Sequence, residues 1–178
     1  MKTCCIITNG FEEIEAIGTI ALMKRNGLEV DLYSLNGEEV LHGKHSIPAC
    51  ELKPLSAFCF DDYGCLLIAG GPEWVELDKS EPFKKIIREF HDAGKYIAAI
   101  CAAPTILGRM GLLKGRNYTC FTSMNADFGG TYVDQYVVTD GKLITGRSAA
   151  ATVDFGIAVC EALQGTEKAE ELKKAIYY

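Results

Sequence analysis

The stretch Tyr96-Ile-Ala-Ala-Ile-Cys-Ala-Ala-Pro-Thr-Ile-Leu-Gly108 decides the fold of this chain. Its apolar start, residues 96–100, is typical of a buried parallel strand. The small residues that follow lead to Pro104, which suits a first helical turn because its missing N–H costs nothing there. Cys101 is therefore predicted at a sharp turn from strand to helix, with its thiol at the carboxyl edge of a sheet.

That position allows two interpretations of Cys101. Taken as one cysteine among eight, it is a small buried thiol of the core. Near the positive end of a helix, however, its pKa is expected to fall, and the resulting thiolate is the reactive form of cysteine. The analogy with the nucleophile elbow, a turn that presents a catalytic side chain above a sheet, favours the reactive interpretation.

Composition predicts one domain over residues 1–178. The chain is 48% hydrophobic and 24% charged, which is ordinary for a globular protein, and it is long enough for a sizeable core. Its net charge of −6 disfavours a nucleic-acid or anionic-membrane partner. No segment approaches the roughly 20 apolar residues of a membrane span, and no export signal is recognised, so a cytoplasmic location is expected.

The eight cysteines and three histidines predict neither a metal site nor a disulfide framework. The cysteines are spread through strand-like and helical runs, form no C-x-x-C pair and have no histidine at ligand-like spacing. The sequence also lacks the glycine motifs of nucleotide sites, and three carboxylates follow the first strand, where they would repel a phosphate. No cofactor is therefore predicted.

Strand-like and helical runs alternate along the chain. The predicted strands include residues 3–8, 28–35, 65–69 and 96–100. The predicted helices are residues 12–25, 82–90, 104–110, 149–163 and 166–176, the last with Thr166 as its N-cap. Residues 38–50 are expected to form a short hairpin or an excursion from the sheet, and a hairpin is expected around Asp140-Gly141. This alternation predicts an α/β fold with a mostly parallel sheet and helices on both faces.

Three loops follow predicted strands at the edge where such sheets place their sites. The loops are residues 9–15, 70–74 and 101–104. Glu15 is the carboxylate expected to face inward, where burial would raise its pKa so that it could donate to a thiolate or move a proton to substrate. Glu12 and Glu13 are interpreted as charges that complement the helix dipole. Gly70 and Gly71 form either a simple turn or an oxyanion hole of backbone N–H groups.

These segments together resemble the ThiJ/PfpI superfamily, also called the DJ-one family. The matching motifs, in chain order, are Asn9-Gly-Phe-Glu-Glu-Ile-Glu15, Ile68-Ala-Gly-Gly-Pro72, Ala98-Ala-Ile-Cys-Ala-Ala-Pro-Thr105, Asp140-Gly-Lys-Leu-Ile-Thr-Gly-Arg147, Asp154-Phe-Gly-Ile-Ala158 and Glu161-Ala-Leu-Gln-Gly165. They run through almost the whole chain, and the cysteine motif together with the acidic loop is highly specific.

The resemblance implies a flavodoxin-like three-layer sandwich, of the class I glutamine amidotransferase-like type, and a homodimer. It maps the reactive cysteine of the family onto Cys101, the protonated glutamate onto Glu15, and backbone oxyanion donors onto the region of Gly71 and Ala102. Members are described as glyoxalases or deglycases acting on 2-oxoaldehydes, as proteases or other hydrolases, as chaperones and as oxidative-stress sensors.

The chain departs from these patterns after the arginine, where Gly-Pro-Gly-Thr is common and this chain has Ser148-Ala-Ala-Ala-Thr152, and at two positions where members carry a histidine. Protease-like members carry a histidine directly after the cysteine, where this chain has Ala102, and glyoxalase-like members often supply one near the position of Phe121. Without an imidazole beside the thiol, Cys–His protease chemistry is not expected. Two hypotheses remain. Cys101 and Glu15 form an enzyme site for a small carbonyl substrate, or Cys101 is an oxidation-sensitive thiol whose sulfinate Glu15 holds.

Overall fold

The structure, a computed structural model, describes residues 1–178. Its strands are β1 (Lys2–Ile7), β2 (Glu29–Ser34), β3 (Leu41–His42), β4 (Pro48–Ala49), β5 (Lys53–Pro54), β6 (Cys65–Ile68), β7 (Tyr96–Ile100), β8 (Asn117–Tyr118), β9 (Thr131–Tyr132), β10 (Val137–Asp140) and β11 (Leu143–Gly146). Its α-helices are α1 (Thr19–Arg25), α2 (Trp74–Lys79), α3 (Glu81–Asp92), α4 (Pro104–Arg109), α5 (Thr152–Gln164) and α6 (Thr166–Ile176). None of these helices has the length and apolar character needed to cross a bilayer.

A seven-stranded sheet forms the middle of the molecule, in the order β10-β11-β7-β6-β1-β2-β5. Every neighbouring pair is parallel except β10 and β11, which are antiparallel. After β1, the chain adds β2 and β5 on one side of β1. It then adds β6 and the later strands of the sheet on the other side. The loops after β1 and β6 therefore meet at the switch point of the strand order, where sheets of this kind place their sites.

Helices cover both faces of the sheet. One face packs against α1, α5 and α6 through buried side chains such as Met23 and Phe155. The opposite face packs against α2, α3 and α4, with Phe83 and Ile106 among the buried contacts. The α/β sandwich of three layers predicted from the alternating pattern is confirmed.

The first helix differs from its prediction in its winding. Residues Ile14–Gly18 form a π-helix, and only Thr19–Arg25 is α-helical. A π-helical turn is rare and occurs often at functional sites. It turns Glu15 into the protein at 1% exposure, while Ile14 stays 57% exposed and Ile17 41% exposed.

The predicted turns have mixed outcomes. Both hairpins are confirmed, since β3 pairs with β4 and β10 with β11 in antiparallel fashion. The N-cap prediction for α6 is wrong, because Gly165 occupies the cap position and Thr166 is the first helical residue. The Thr166 hydroxyl donates instead to the carboxylate of Glu161, 2.9 Å away.

Candidate active site

Cys101 lies at the predicted turn between β7 and α4. Its backbone is left-handed, with φ +64°, which is uncommon for a residue other than glycine. Two hydrogen bonds clamp it: its N–H donates to the Gly146 carbonyl at 2.9 Å, and its carbonyl accepts from the Phe121 N–H at 2.7 Å. Such a clamped, strained backbone is the geometry that the nucleophile-elbow analogy predicts.

The side chains of Glu15 and Cys101 both lie against Gly70. The Oε2 atom of Glu15 accepts the Gly70 N–H at 2.9 Å. A Cβ at position 70 would lie 2.5 Å from that oxygen and 2.6 Å from the Cβ of Cys101. Only glycine therefore leaves room for the two side chains to approach each other.

The pKa of the Glu15 carboxyl is raised to about 7. Burial is the main cause, and the charge of Glu12 adds to it, while hydrogen bonding with Cys101 and with the Gly70 N–H opposes it. The predicted increase is confirmed. Glu15 is therefore placed to accept or release a proton near neutral pH.

The sequence predicted that the pKa of the Cys101 thiol falls, and this prediction is wrong. Burial raises this pKa, and the neighbouring Glu15 raises it further. A hydrogen bond from the Ala102 backbone acts in the lowering direction but is outweighed. Because α4 has only six residues, its positive end does not offset the desolvation of a thiolate. Glu15 is thus the side chain whose charge and hydrogen bond act most directly on the Cys101 thiol.

The three predicted oxyanion residues divide into two roles. The N–H of Gly70 is committed to Glu15, so Gly70 is not a free donor and the prediction is wrong for it. The N–H groups of Gly71 and Ala102 donate to no backbone carbonyl, that of Ala102 lies against the Cys101 sulfur, and both residues line the cavity at Cys101. These two donors remain suitable for holding a developing oxyanion.

Glu13 anchors the hairpin of β3 and β4 to the start of the first helix. Its Oε1 accepts the His45 N–H at 2.6 Å, and its Oε2 lies 2.9 Å from the His45 Nδ1. Although desolvation acts to raise the pKa of Glu13, these hydrogen bonds lower it to about 2. The helix-dipole interpretation is thus incomplete, because this carboxylate is buried and holds a loop.

Glu12, Glu13 and His45 bring potential ligand atoms within 4.8 Å of one another. Both oxygens of Glu13 already face His45, and Glu12 Oε2 accepts the Glu15 N–H at 2.8 Å. The cluster therefore acts as a link between loops, and its geometry does not indicate a cation site.

Sequence reasoning missed another buried carboxyl, Glu73. Its Oε2 accepts the Thr8 N–H at 2.6 Å, and its Oε1 is buried without a partner. Burial raises its pKa well above the ordinary value, and the charge of Glu15 adds to the increase. Glu73 ties the Gly70-Gly71 loop to the end of β1. An acidic residue directly after Gly-Gly-Pro, at the carboxyl edge of the sheet, was the available signal.

Cys101 opens into a cavity of about 500 Å³. Its charged lining residues are Glu12, Glu15 and Lys44, and no histidine lines it. Phe121 takes part in the wall next to the thiol, in the region where the resemblance would place a histidine. Apart from the thiol, the ionisable side chains that line the cavity are therefore two carboxyls and one lysine ammonium.

Comparisons with known proteins agree with this geometry. Residues 1–162 match the DJ-1/PfpI family. The chain belongs to the DJ-1/PfpI family. Protein dj-1beta of Drosophila melanogaster is 30% identical over 175 residues, which are 96% of this chain and 94% of that protein. Its crystal structure matches with a TM-score of 0.92, covering 99% of this chain and 98% of the other. This DJ-1/PfpI chain is also 31% identical over 171 residues to the glutathione-independent glyoxalase DJR-1.2 of Caenorhabditis elegans, covering 93% of this chain and 89% of that protein.

In this DJ-1/PfpI protein, the Glu15→Gln substitution should stabilise the fold at alkaline pH. An ordinary glutamate ionises near pH 4.5, but the folded protein holds the Glu15 pKa at about 7. Ionising Glu15 therefore costs stability as the pH rises from 4.5 to 7, and above 7 the loss is complete. The shift corresponds to about 3 kcal/mol.

Urea denaturation of both proteins at pH 4 and pH 8 measures this effect. The free energy of unfolding of the variant, relative to the wild type, should be higher at pH 8 than at pH 4 by about 3 kcal/mol. Glu38→Gln is a matched control, because its carboxylate has a lowered pKa and lies outside the site. A difference for Glu15→Gln that does not vary with pH would contradict the raised pKa.

Proposed function

We propose that the protein is a glyoxalase- or deglycase-type enzyme that acts on small 2-oxoaldehydes such as methylglyoxal. The observation that carries the proposal is the Glu15 carboxyl, with a pKa of about 7, beside a thiol whose own pKa is raised. A general base works best when its pKa lies near the operating pH. Family membership and the printed name of the Caenorhabditis elegans relative support the same chemistry.

In the first step, the Cys101 sulfur attacks the aldehyde carbon of the substrate. The Glu15 carboxylate takes the thiol proton as the C–S bond forms and gives it to the oxygen of the resulting hemithioacetal. The N–H groups of Gly71 and Ala102 stabilise that oxygen while it carries negative charge.

The later steps return the site to its starting state. A proton moves, with Glu15 as carrier, from the former aldehyde carbon to the neighbouring ketone carbon, and the hydroxyl proton of the hemithioacetal passes to the ketone oxygen. The first carbon is thereby oxidised to a thioester, and the second is reduced to an alcohol. Water then cleaves the C–S bond and releases a 2-hydroxy acid and the Cys101 thiol. The net reaction adds one water to the substrate, so no external oxidant, reductant or cofactor takes part.

Methylglyoxal consumption and lactate formation test this proposal. The wild type should form lactate, and the Cys101→Ser variant should show only the background rate. Cys50→Ser is a matched control, because Cys50 is an exposed thiol outside the cavity, and it should keep the wild-type rate. Equal lactate formation by the wild type and Cys101→Ser would overturn the proposal.

A second candidate function is an oxidative-stress sensor. The cavity contains no imidazole, and a protonated Glu15 can donate a hydrogen bond to an oxygen of a Cys101 sulfinate. Under mild peroxide, peptide mass spectrometry should then show oxygen added to Cys101 faster than to the exposed Cys50 and Cys59. Faster oxidation of the two exposed thiols would exclude this function.

We also propose a homodimer, as the resemblance implies. An exposed apolar surface supports it: Ile14, Ile17 and Val153 are 57%, 41% and 40% exposed, and Ile14 and Val153 line one groove between the first helix and α5. Light scattering coupled to gel filtration should give a dimer mass for the wild type and a monomer mass for folded Val153→Asp. A monomer mass for the wild type would contradict the dimer.

A cytoplasmic location is proposed on the state of the thiols. All eight cysteines are free, and five of them are buried. Reducing compartments such as the cytoplasm keep thiols in this form. Cell fractionation followed by immunoblotting tests the location, and recovery in an oxidising compartment would contradict it.

A further inference from the structure

The cavity at Cys101 is larger than a reaction on methylglyoxal requires. Its volume of about 500 Å³ falls within the range of about 300–1,000 Å³ typical of sites that enclose much larger ligands. Methylglyoxal carries only a methyl group next to its two carbonyl carbons. Its chemistry would use Cys101, Glu15 and the nearby N–H groups but little of the remaining space.

Large apolar side chains form much of the wall. Trp74 and Val75 come from α2, and Phe121 and Met124 come from the segment that follows β8. Val75 is 37% exposed and Phe121 is 42% exposed. Apolar surface that faces water inside a cavity gains free energy when an apolar ligand group covers it.

These walls are held in place by the protein itself. The Arg109 guanidinium lies 4.7 Å from the centre of the Trp74 ring, and Arg109 Nε donates to Asp78 at 2.8 Å. On the other side, the Phe121 N–H donates to the Cys101 carbonyl at 2.7 Å, and the Met124 N–H donates to the Phe121 carbonyl at 2.8 Å. The aromatic walls are thus tied to the elbow that carries the thiol, and little ordering is needed when a ligand binds.

We propose that this cavity binds a bulky apolar substituent, aryl or branched alkyl, of the electrophile that reacts at Cys101. The inference rests on the proposed function, in which the Cys101 thiol attacks a carbonyl carbon. It narrows the substrate class from 2-oxoaldehydes in general to those whose ketone carbon carries such a substituent. Phe121 and Val75 are the specificity-determining residues.

The first experiment measures the binding preference without turnover. Cys101 is alkylated with iodoacetamide and with N-benzyl iodoacetamide, and peptide mass spectrometry gives the rate constant for each thiol. Each rate is divided by the rate for glutathione, which removes the intrinsic difference between the reagents. Cys101 should favour the benzyl reagent by about 10-fold or more, because even one methylene in an apolar pocket is worth about 10–200-fold.

Cys50 and Cys59 supply an internal reference, since both are exposed and neither lines the cavity. They should show no preference for the benzyl reagent. Phe121→Ser and Val75→Ser should reduce the preference at Cys101. Val40→Ser should not, because Val40 is 46% exposed but lies outside the cavity. A preference at Cys101 no larger than that at Cys50 and Cys59 would overturn the inference.

The second experiment separates this inference from the proposed function. Values of kcat/KM are measured for phenylglyoxal and methylglyoxal, with mandelate and lactate as the products. An advantage of about 10-fold or more for phenylglyoxal is expected. If neither compound is converted while the alkylation preference holds, the glyoxalase function fails and the apolar site stands. If methylglyoxal is converted and the alkylation preference is missing, the function stands and the inference fails.

Discussion

Replacing Glu15 with glutamine should slow alkylation of Cys101 at pH 8 by roughly 100-fold or more, the range of general-base assistance. In the wild type, the Cys101–Glu15 pair loses its first proton near pH 7, since the Glu15 pKa is about 7. Above that pH the carboxylate can accept the thiol proton, so the reaction rate should rise between pH 6 and pH 8. Glutamine keeps an oxygen for the Gly70 N–H but accepts no proton, and burial still raises the pKa of the thiol.

The measurement is the rate of iodoacetamide labelling at the Cys101 peptide from pH 5 to pH 10. In Glu15→Gln, the rise in rate should move to higher pH. Glu12→Gln is a matched variant with the opposite expectation, because the charge of Glu12 raises the pKa of Glu15. In Glu12→Gln, the rise in the labelling rate should move to slightly lower pH. The same midpoint in the wild type and Glu15→Gln would show that Glu15 does not accept the thiol proton.

The Gly70→Ala substitution should abolish the reactivity of Cys101 and destabilise the fold by about 1–3 kcal/mol, as overpacking does. The added Cβ would lie 2.5 Å from Glu15 Oε2, 2.6 Å from Cys101 Cβ and 3.1 Å from the Ala102 nitrogen. The clash is relieved only if the Glu15 carboxyl and the Cys101 thiol move apart. The proton acceptor then no longer lies next to the nucleophile.

Gly111→Ala is the control for this substitution. Gly111 has φ +78°, and a Cβ added there would meet no atom within 4 Å, so alanine meets backbone strain alone. It should cost about 1 kcal/mol and leave labelling of Cys101 unchanged. Thermal unfolding and the labelling rate are measured on both variants. Wild-type labelling in Gly70→Ala would contradict the close packing of Glu15, Gly70 and Cys101.

Local signals in the sequence were sufficient for the layers of the fold and for the position of the thiol. The apolar run of β7, the small residues after it and Pro104 predict the strand-to-helix turn, which the structure shows at Cys101 with φ +64°. The Asp140-Gly141 pair likewise predicts the β10–β11 hairpin. In each case the deciding residues are neighbours along the chain.

The parts that could not be predicted depend on contacts between distant segments. The sign of the thiol pKa change follows from burial and from Glu15, which lies 86 positions before Cys101 in the chain. Glu73 was missed because its partner, the Thr8 N–H, belongs to another strand end. The π-helical winding at Ile14–Gly18 has the same apolar pattern as an α-helix, so periodicity alone does not reveal it.

The left-handed backbone of Cys101 also lowers the stability of the fold at the residue that carries the thiol. A side chain in this conformation costs about 1–2 kcal/mol relative to glycine, and the clamp by Gly146 and Phe121 prevents the chain from relaxing. The chain therefore carries a thermodynamically inferior residue at a turn that its neighbours hold firmly in place. Replacing Cys101 with glycine would therefore raise the thermal stability of the protein and remove its thiol at the same time.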